Sequence, residues 1–333
     1  MPQKKVSIII PNYNGLSFLK KCIPSIKKQT YKNIEIVMID NNSSDDTIIY
    51  IGKKYPEVKI IKNKSNNGFA KANNQGATMS KGDYLFFLNN DTELFTDAVE
   101  ILLKSYKPKS ILSAYQIPSR NVKVQGRAGA GMDIFSYPYS DQNDYRKTKL
   151  FYADGAALFL KKSDFMDIGM FDERLFMFIE DVDLSWRAQL MGFRVISCWN
   201  AKLYHYHGGT ARLDLSESKQ YVSSHFRRYL NERNVMRNII KNYSFPLAFF
   251  VLVFLLFFHM GEIILLLITG NASVVKCYFA AYWWNLKNLG NSLKIRKIIQ
   301  KKRIVSDWEL LKRMYWTYSK LYMFIKIGMP KFR

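Results

Sequence analysis

Three places in the chain combine residue types and spacing suited to chemistry. Asn89-Asn90-Asp91 closes the apolar run YLFFL, so an acidic side chain emerges where a strand should end. A carboxylate there can hold a divalent cation against a diphosphate, although an Asn-Asp pair is also ordinary turn chemistry. Glu180-Asp181-Val182-Asp183 opens a helical pattern, where the helix dipole by itself favours acids. His205, the first histidine in the chain, lies 24 residues beyond Asp181 in the strand-like run 202–206. Taken singly, each has a plain structural reading.

The elements that must position them are legible from periodicity. Short β-branched runs at 6–10, 34–40, 58–62 and 84–89 alternate with helical patterns, which predicts parallel strands joined by crossover helices. Leu16, Leu19, Ile23 and Ile26 recur at helical spacing in the first helix. Ser44 is expected to cap the second helix at Asp45, and Gly82 to end the third. In such a sheet, ligands gather at the carboxyl ends of the strands, so the turns 11–15, 40–44 and 89–91 should face one crevice. The middle, 110–210, holds a glycine-rich stretch at 125–132, a strand at 156–161 and an aromatic loop at 171–178. A helix from Glu180 follows, with apolar face Val182, Trp186 and Leu190 and a stop at Gly192.

The chain has 333 residues, 48% of them hydrophobic, enough for a sizeable core. Its net charge of +23 implies an anionic partner, and +15 of that falls from His225 onward. Nucleic acid is the weaker choice of partner, because the aromatics sit in apolar runs and do not interleave with the basic residues. Cys22, Cys198 and Cys277 are scattered, which excludes a disulfide scaffold and a structural zinc site and fits a reducing, cytosol-facing location. No secretion signal is visible. Residues 245–268 form a membrane-grade segment in which only Pro246, His259, Gly261 and Glu262 are not plainly apolar. Arg227, Arg228, Arg233, Arg237 and Lys241 precede it and Lys294, Arg296, Lys297, Lys301, Lys302 and Arg303 follow, so both flanks read as cytoplasmic. A helix lying in or dipping into the inner leaflet of the cell membrane is favoured over a two-span hairpin. The division expected is a catalytic domain at 1–224, with halves meeting near 110, and a basic, helical membrane-associating region at 225–333.

The motifs occur together in a known order. SIIIPNYNG (7–15), VMIDNNSSDDT (37–47), NNGFAKANNQG (66–76), FLNNDTEL (87–94), GAALFLKK (155–162), GMFDERLFMFIEDVDLSWRAQLMGFRV (169–195) and AKLYHYHGGT (201–210) resemble the family 2 glycosyltransferases of GT-A fold. Within that family the chain is most similar to the rhamnosyltransferase and galactofuranosyltransferase-like branch. The resemblance implies an α/β, Rossmann-like mostly parallel sheet with flanking helices. It implies that Pro11, Asn12, Tyr13 and Asp40 hold the nucleotide, with Asn90 beside them. Separately, Asn67 leads into a helix whose free N–H groups can face the diphosphate with Lys71 one turn in, a plain turn and helix being the alternative. A carboxylate at Asp40 can accept the N3 hydrogen of uracil or thymine, so the expected donor is a UDP- or dTDP-sugar. Asp91 corresponds to the last acid of the metal motif and would bind Mn²⁺ or Mg²⁺. Asn89 stands where the family has an acid, which removes one charge and shifts weight to His205, the matching histidine. His207 is the runner-up. Asp181 takes the place of the catalytic base, which implies inversion at the sugar's C1.

Glu180, Asp183, Trp186 and His207 are candidate acceptor contacts, with helix capping the equal alternative for Asp183 and core packing the alternative for Trp186. The QxxRW signature of processive members is absent, so one sugar per encounter is expected. A lipid-linked, polyprenol-type or glycan acceptor at an anionic membrane surface would explain the apolar, basic tail. A polyprenyl-phosphate sugar synthase is the second enzyme reading. A sugar-nucleotide pyrophosphorylase lacks its glycine-rich, arginine-containing loop at 11–15.

Overall fold

The computed structural model describes residues 4–118, 126–139, 147–206 and 222–332. Its centre is an eight-stranded sheet. β1 (Val6–Asn12), β2 (Ile34–Asp40), β3 (Lys59–Lys62) and β4 (Tyr84–Leu88) alternate with α1 (Leu16–Lys27), α2 (Thr47–Lys54) and α3 (Gly68–Met79). Next come β5 (Thr92–Leu94), α4 (Ala98–Ser105), β6 (Ser110–Pro118) and a short antiparallel pair, β7 (Gly131–Met132) with β8 (Pro138–Tyr139). β9 (Ala157–Lys161), α5 (Lys162–Ile168), α6 (Glu180–Leu190) and β10 (Arg194–His205) complete the sheet region. The strand order is β3-β2-β1-β4-β9-β6-β10-β5. β1 lies parallel to β2 and to β4, while β9 runs antiparallel to β4 and β6. The chain winds outward from β1 to β3 and then returns to β4 on β1's other side. That reversal opens a crevice at the carboxyl ends of the strands.

The sheet's four leading strands fall where alternation put them, because their two faces are covered by separate apolar clusters. Val6, Ile8 and Ile10 pack on α1, and Ile9, Val37 and Ile39 pack on the alanine face of α3. Two helix boundaries differ from expectation. α2 begins at Thr47 without a Ser44 cap, because Ser44 Oγ is 3.2 Å from Asn14 and Asp45 accepts from the backbone N–H of Leu16 (3.0 Å) and Thr47. α3 ends at Met79, since Ser80 is already extended; the Gly82 N–H instead donates to Ser7 Oγ on β1.

The C-terminal third is helical: β11 (Val222–Ser223) leads into α7 (His225–Asn242), α8 (Phe245–Ile268), α9 (Ala272–Lys287), α10 (Leu289–Lys302), α11 (Asp307–Leu311) and α12 (Ser319–Ile327), with β12 (Lys331–Phe332) pairing back on β11. Its packing does not stop at 224. One buried cluster joins Ala130, Met132, Phe151, Trp186 and Leu190 to Val235, Tyr243, Leu255, Ile299, Leu310 and Tyr318. The basic residues read as the leading flank turn largely inward, whereas Lys294, Lys297, Lys301 and Lys302 of the trailing flank are exposed. Arg237 and Lys241 are buried in ion pairs with Asp172, Arg228 pairs with Glu232, and Arg233 lies over Trp284.

Candidate active site

The donor crevice is built where β1, β2 and β4 end. Asp40 closes β2, and its carboxylate accepts from Ser43 N (2.9 Å), Ser43 Oγ (2.6 Å) and Asn12 Nδ2 (3.2 Å). Asn12 in turn accepts from Asn90 Nδ2 at 2.7 Å. The three turns therefore meet through side chains, as their strand positions predict. Gly15 lies under that contact, and a Cβ there would stand 2.1 Å from Asn90 Nδ2. Tyr13 is half exposed, whereas Asp40 is buried with both oxygens already engaged.

On the far side of β4, Asp91 meets His205. The residue after Asp91, Thr92, starts β5, which pairs antiparallel with β10 so that Thr92 lies opposite His205. His205 Nε2 is then 3.2 Å from Asp91 Oδ1, and Nδ1 is 2.8 Å from Gln116 Oε1. With Nδ1 turned to Gln116 Oε1, Nε2 is the ring nitrogen that faces the acid and the one free to take a metal in its neutral form. Cis ligands of an octahedral ion at about 2.1 Å are about 3 Å apart, so this pair fits one edge of such a shell. Among the described residues, no cluster of three or more His, Cys, Asp or Glu is grouped to hold a metal, so those residues offer the Asp91–His205 pair alone and Asn89 adds no third charge.

Asp181 begins α6 next to the crevice. Its Oδ2 accepts from Gly155 N (2.9 Å) and its Oδ1 from Val182 N (2.8 Å). The adjoining Ala156 accepts from Asn89 N at 3.0 Å, which ties the start of β9 to the end of β4 and sets Asp181 beside the crevice. Burial, then repulsion from Asp154, pushes its carboxyl up to about 6, against the pull of its backbone bonds and Arg127. Glu180 is buried deeper, and burial with the neighbouring Asp181 charge raises it well above the usual carboxylate range. Asp154, paired with Arg127, is the part of this cluster that sequence reasoning missed. Its signal was an acid immediately before the small-residue opening of the GAALF strand.

Several expected contacts lie elsewhere. Asp183 neither caps α6 nor faces an acceptor: it is fully buried, 2.9 Å from both Arg187 and Lys241, which hold its carboxyl below the usual range. Trp186 is a core residue against Tyr243 and Phe151, not an acceptor wall. The start of α3 at Asn67 is not an open anion seat either. Gly68 N donates to Asn66 Oδ1 and Ala70 N to the Phe176 carbonyl, so those N–H groups are spent, although half-buried Lys71 remains one turn in. His207 falls outside the described residues.

Residues 7–169 match the family model Glycosyl transferase family 2. Over 246 residues the chain is 26% identical to a chondroitin synthase of Pasteurella multocida, covering 72% of this chain and 24% of that protein; it thus spans about a quarter of that relative's length. Among solved structures it is similar to GalNAc-T7 with UDP, GalNAc and Mn²⁺, at TM-score 0.55 and 19% identity over 72% of this chain and 48% of that one. It is also similar to the mannosyltransferase PcManGT of Pyrobaculum calidifontis with GDP-Man and Mn²⁺, at TM-score 0.52 and 14% identity over 93% and 84%. The curled mixed sheet with flanking helices is the GT-A fold expected from the motifs.

Proposed function

We propose that this chain, whose residues 7–169 form a glycosyl transferase family 2 domain, is an inverting, metal-dependent glycosyltransferase that moves one sugar from a UDP- or dTDP-sugar to an acceptor hydroxyl at a membrane surface. One observation carries the reading. The hydrogen bond between Asn89 N and Ala156 O joins the strand end that leads to the Asp91–His205 pair to the strand start whose neighbouring Gly155 N bonds Asp181, which supports reading the two as one site.

Asp181 takes the acceptor's proton while the acceptor oxygen bonds to C1. The C1–oxygen bond to the diphosphate breaks on the opposite face, and its electron pair leaves with the nucleotide. A carboxylate raised to about 6 is a stronger base than a surface one and still ionised at pH 7.5. Asp91 and His205 would hold Mn²⁺ or Mg²⁺, which when bound offsets the charge that develops on the leaving diphosphate. The likeness to GalNAc-T7 with UDP and Mn²⁺ and to PcManGT with GDP-Man and Mn²⁺ supports a nucleotide-sugar donor and a divalent cation. The uracil or thymine preference rests on Asp40, and the rhamnosyltransferase-like branch on the sequence motifs; a hexosyl or pentosyl donor fits equally.

The membrane reading is supported by α8, the one helix among the described residues long and apolar enough to cross a bilayer. Its polar side faces inward: His259 is 3.1 Å from Glu232 on α7, and Glu262 accepts from Tyr318 (2.8 Å) and from Lys320 on α12. Crossing would drag those buried charges into hydrocarbon, so an in-plane helix suits the cytoplasmic leaflet better. Phe249, Phe250, Phe254 and Phe257 stay exposed on α8, and Lys294, Lys297, Lys301 and Lys302 are exposed on α10. Such a surface suits a lipid-linked acceptor.

Calorimetry of UDP, dTDP and GDP with and without Mn²⁺ tests the donor side. UDP or dTDP should bind at least tenfold tighter with Mn²⁺, and Asp91→Ala should remove that gain. Binding indifferent to base and metal would overturn the reading.

A further inference from the structure

The segment that delivers Asp181 is bent against its own preferences. Phe176, Phe178 and Ile179 have φ of 65°, 67° and 68°, although none is glycine and Ile179 is β-branched. Phe176, at ψ −67°, forms a γ-turn closed by Met177 N and the Leu175 carbonyl at 2.7 Å. Backbone held in such sparse regions persists only where its surroundings over-determine it.

α7 supplies that determination. Asn234, fully buried, donates from Nδ2 to the carbonyls of Leu175 (3.0 Å), Met177 (3.0 Å) and Phe178 (2.7 Å). Arg233 adds bonds to the carbonyls of Arg174 and Leu175, and its Nε donates to Asn234 Oδ1 at 2.9 Å, fixing the amide's orientation. Asn238 reaches Ile179 O at 3.4 Å. On its other side, the loop meets the start of α3. Ala70 N donates to Phe176 O, and Gly68, at φ 78°, has no room for a Cβ, which would stand 2.5 Å from the Phe176 ring. Ile179 O then accepts the first bond of α6, from Asp183 N, and Asp181 lies in that turn.

We propose that Asn234 is a positioning residue for the transfer: from the middle of α7 it locks the 175–179 loop in the backbone shape that sets Asp181 against Gly155 at the crevice. This rests on Asp181 being the base. It also links the helices that bear the exposed apolar face to the chemistry, since α7 is bonded to α8 through Glu232–His259 and to α9 through Asn285, whose Nδ2 donates to Arg233 O at 2.9 Å.

The test uses full-length protein with Mn²⁺. UDP release from UDP-glucose, UDP-galactose and UDP-N-acetylglucosamine is followed with water as acceptor, alongside hydrogen exchange of residues 175–181. Asn234→Ala should lower kcat at least thirtyfold with donor KM within threefold, and raise exchange in the loop at least tenfold. Adding Phe178→Gly should recover at least fivefold in kcat, because glycine adopts positive φ without strain. Gln29→Ala, a buried amide on the far side of the sheet whose partners include Phe95 and Val99, should keep kcat within twofold. If Asn234→Ala fails to fold, Asn238→Ala takes its place with a three- to tenfold loss expected. Unchanged exchange, kcat within threefold for the loop variants, or an equal loss in Gln29→Ala overturns the proposal. A wild type that releases UDP from none of the three sugars and binds neither UDP nor dTDP in the presence of Mn²⁺ overturns the functional reading instead, while the exchange arm still decides the clamp.

Discussion

At the scale of single residues, the account turns on Asp181. Asp181→Asn keeps the size but cannot take a proton, so kcat should fall by about 10²- to 10⁴-fold with nucleotide affinity little changed. Wild-type turnover should decline as pH drops through about 6, where the carboxylate protonates. The stability effect has the opposite sign. A carboxyl raised in the folded state binds protons more tightly there than in the unfolded chain. Asp181 therefore destabilises the fold progressively as pH rises from about 4 to about 6. Thermal melts at pH 8 should show Asp181→Asn at least as stable as wild type; a lower Tm there would mean that the carboxylate serves the fold. Asp91, His205 and Asp181 were legible in the sequence because each closes or opens an element at motif spacing. Asp154 and Gln116 were not, since their roles arise from β9 and β6 lying next to strands distant in sequence.

At the scale of elements, periodicity placed β1 to β4, β9 and α6 but said nothing of how β10 would pair. β10 stays parallel to β6 on both sides of a register shift between Cys198 and Lys202, while Leu203–His205 also take β5 antiparallel on the other edge, and that pairing brings His205 to Asp91. Asp183 shows the limit in the other direction: an acid in the first turn of a helix reads as a cap or a contact, yet here it neutralises Arg187 and Lys241 inside the molecule. Asp183→Ala should cost about 3–5 kcal/mol in urea unfolding, because it leaves two buried cations short of their partner. A loss under 1 kcal/mol would show the ion cluster to be solvated. On α8, Phe250→Ser combined with Phe254→Ser and Phe257→Ser should release the protein from liposomes containing anionic lipid, with Tm held within a few degrees, since all three side chains are exposed. Undiminished flotation would locate membrane attachment elsewhere.

At the scale of the whole molecule, the change in composition near residue 225 is not a change in packing. α7 supplies partners to Asp172, to Asp183 and to the 175–179 loop, and the segment following α10 bonds back to α6, with Ile304 N donating to Leu190 O at 2.8 Å. A chain ending at Tyr243 would uncover Trp186, Val235 and Tyr243 and strip Arg237 of Ser292 and Asn291. It should lose cooperative unfolding in calorimetry; a sharp transition would show that the sheet region folds without the C-terminal helices. The sequence pattern marked this region as apolar and basic, yet hydropathy alone does not distinguish a helix that covers a core from one that covers a lipid surface. α8 covers a core with one side and leaves Phe249, Phe250, Phe254 and Phe257 exposed on the other.

The most direct test of the central claim follows the sugar itself. Purified full-length protein with Mn²⁺ and an anionic liposome preparation carrying bacterial lipid-linked glycans is given UDP-, dTDP- and GDP-sugars labelled at C1, and the product's anomeric configuration is read by NMR. The account predicts transfer from a uridine or thymidine donor, inversion at C1, and loss of product with Asp181→Asn. Product with retained configuration, or undiminished product from Asp181→Asn, would contradict it.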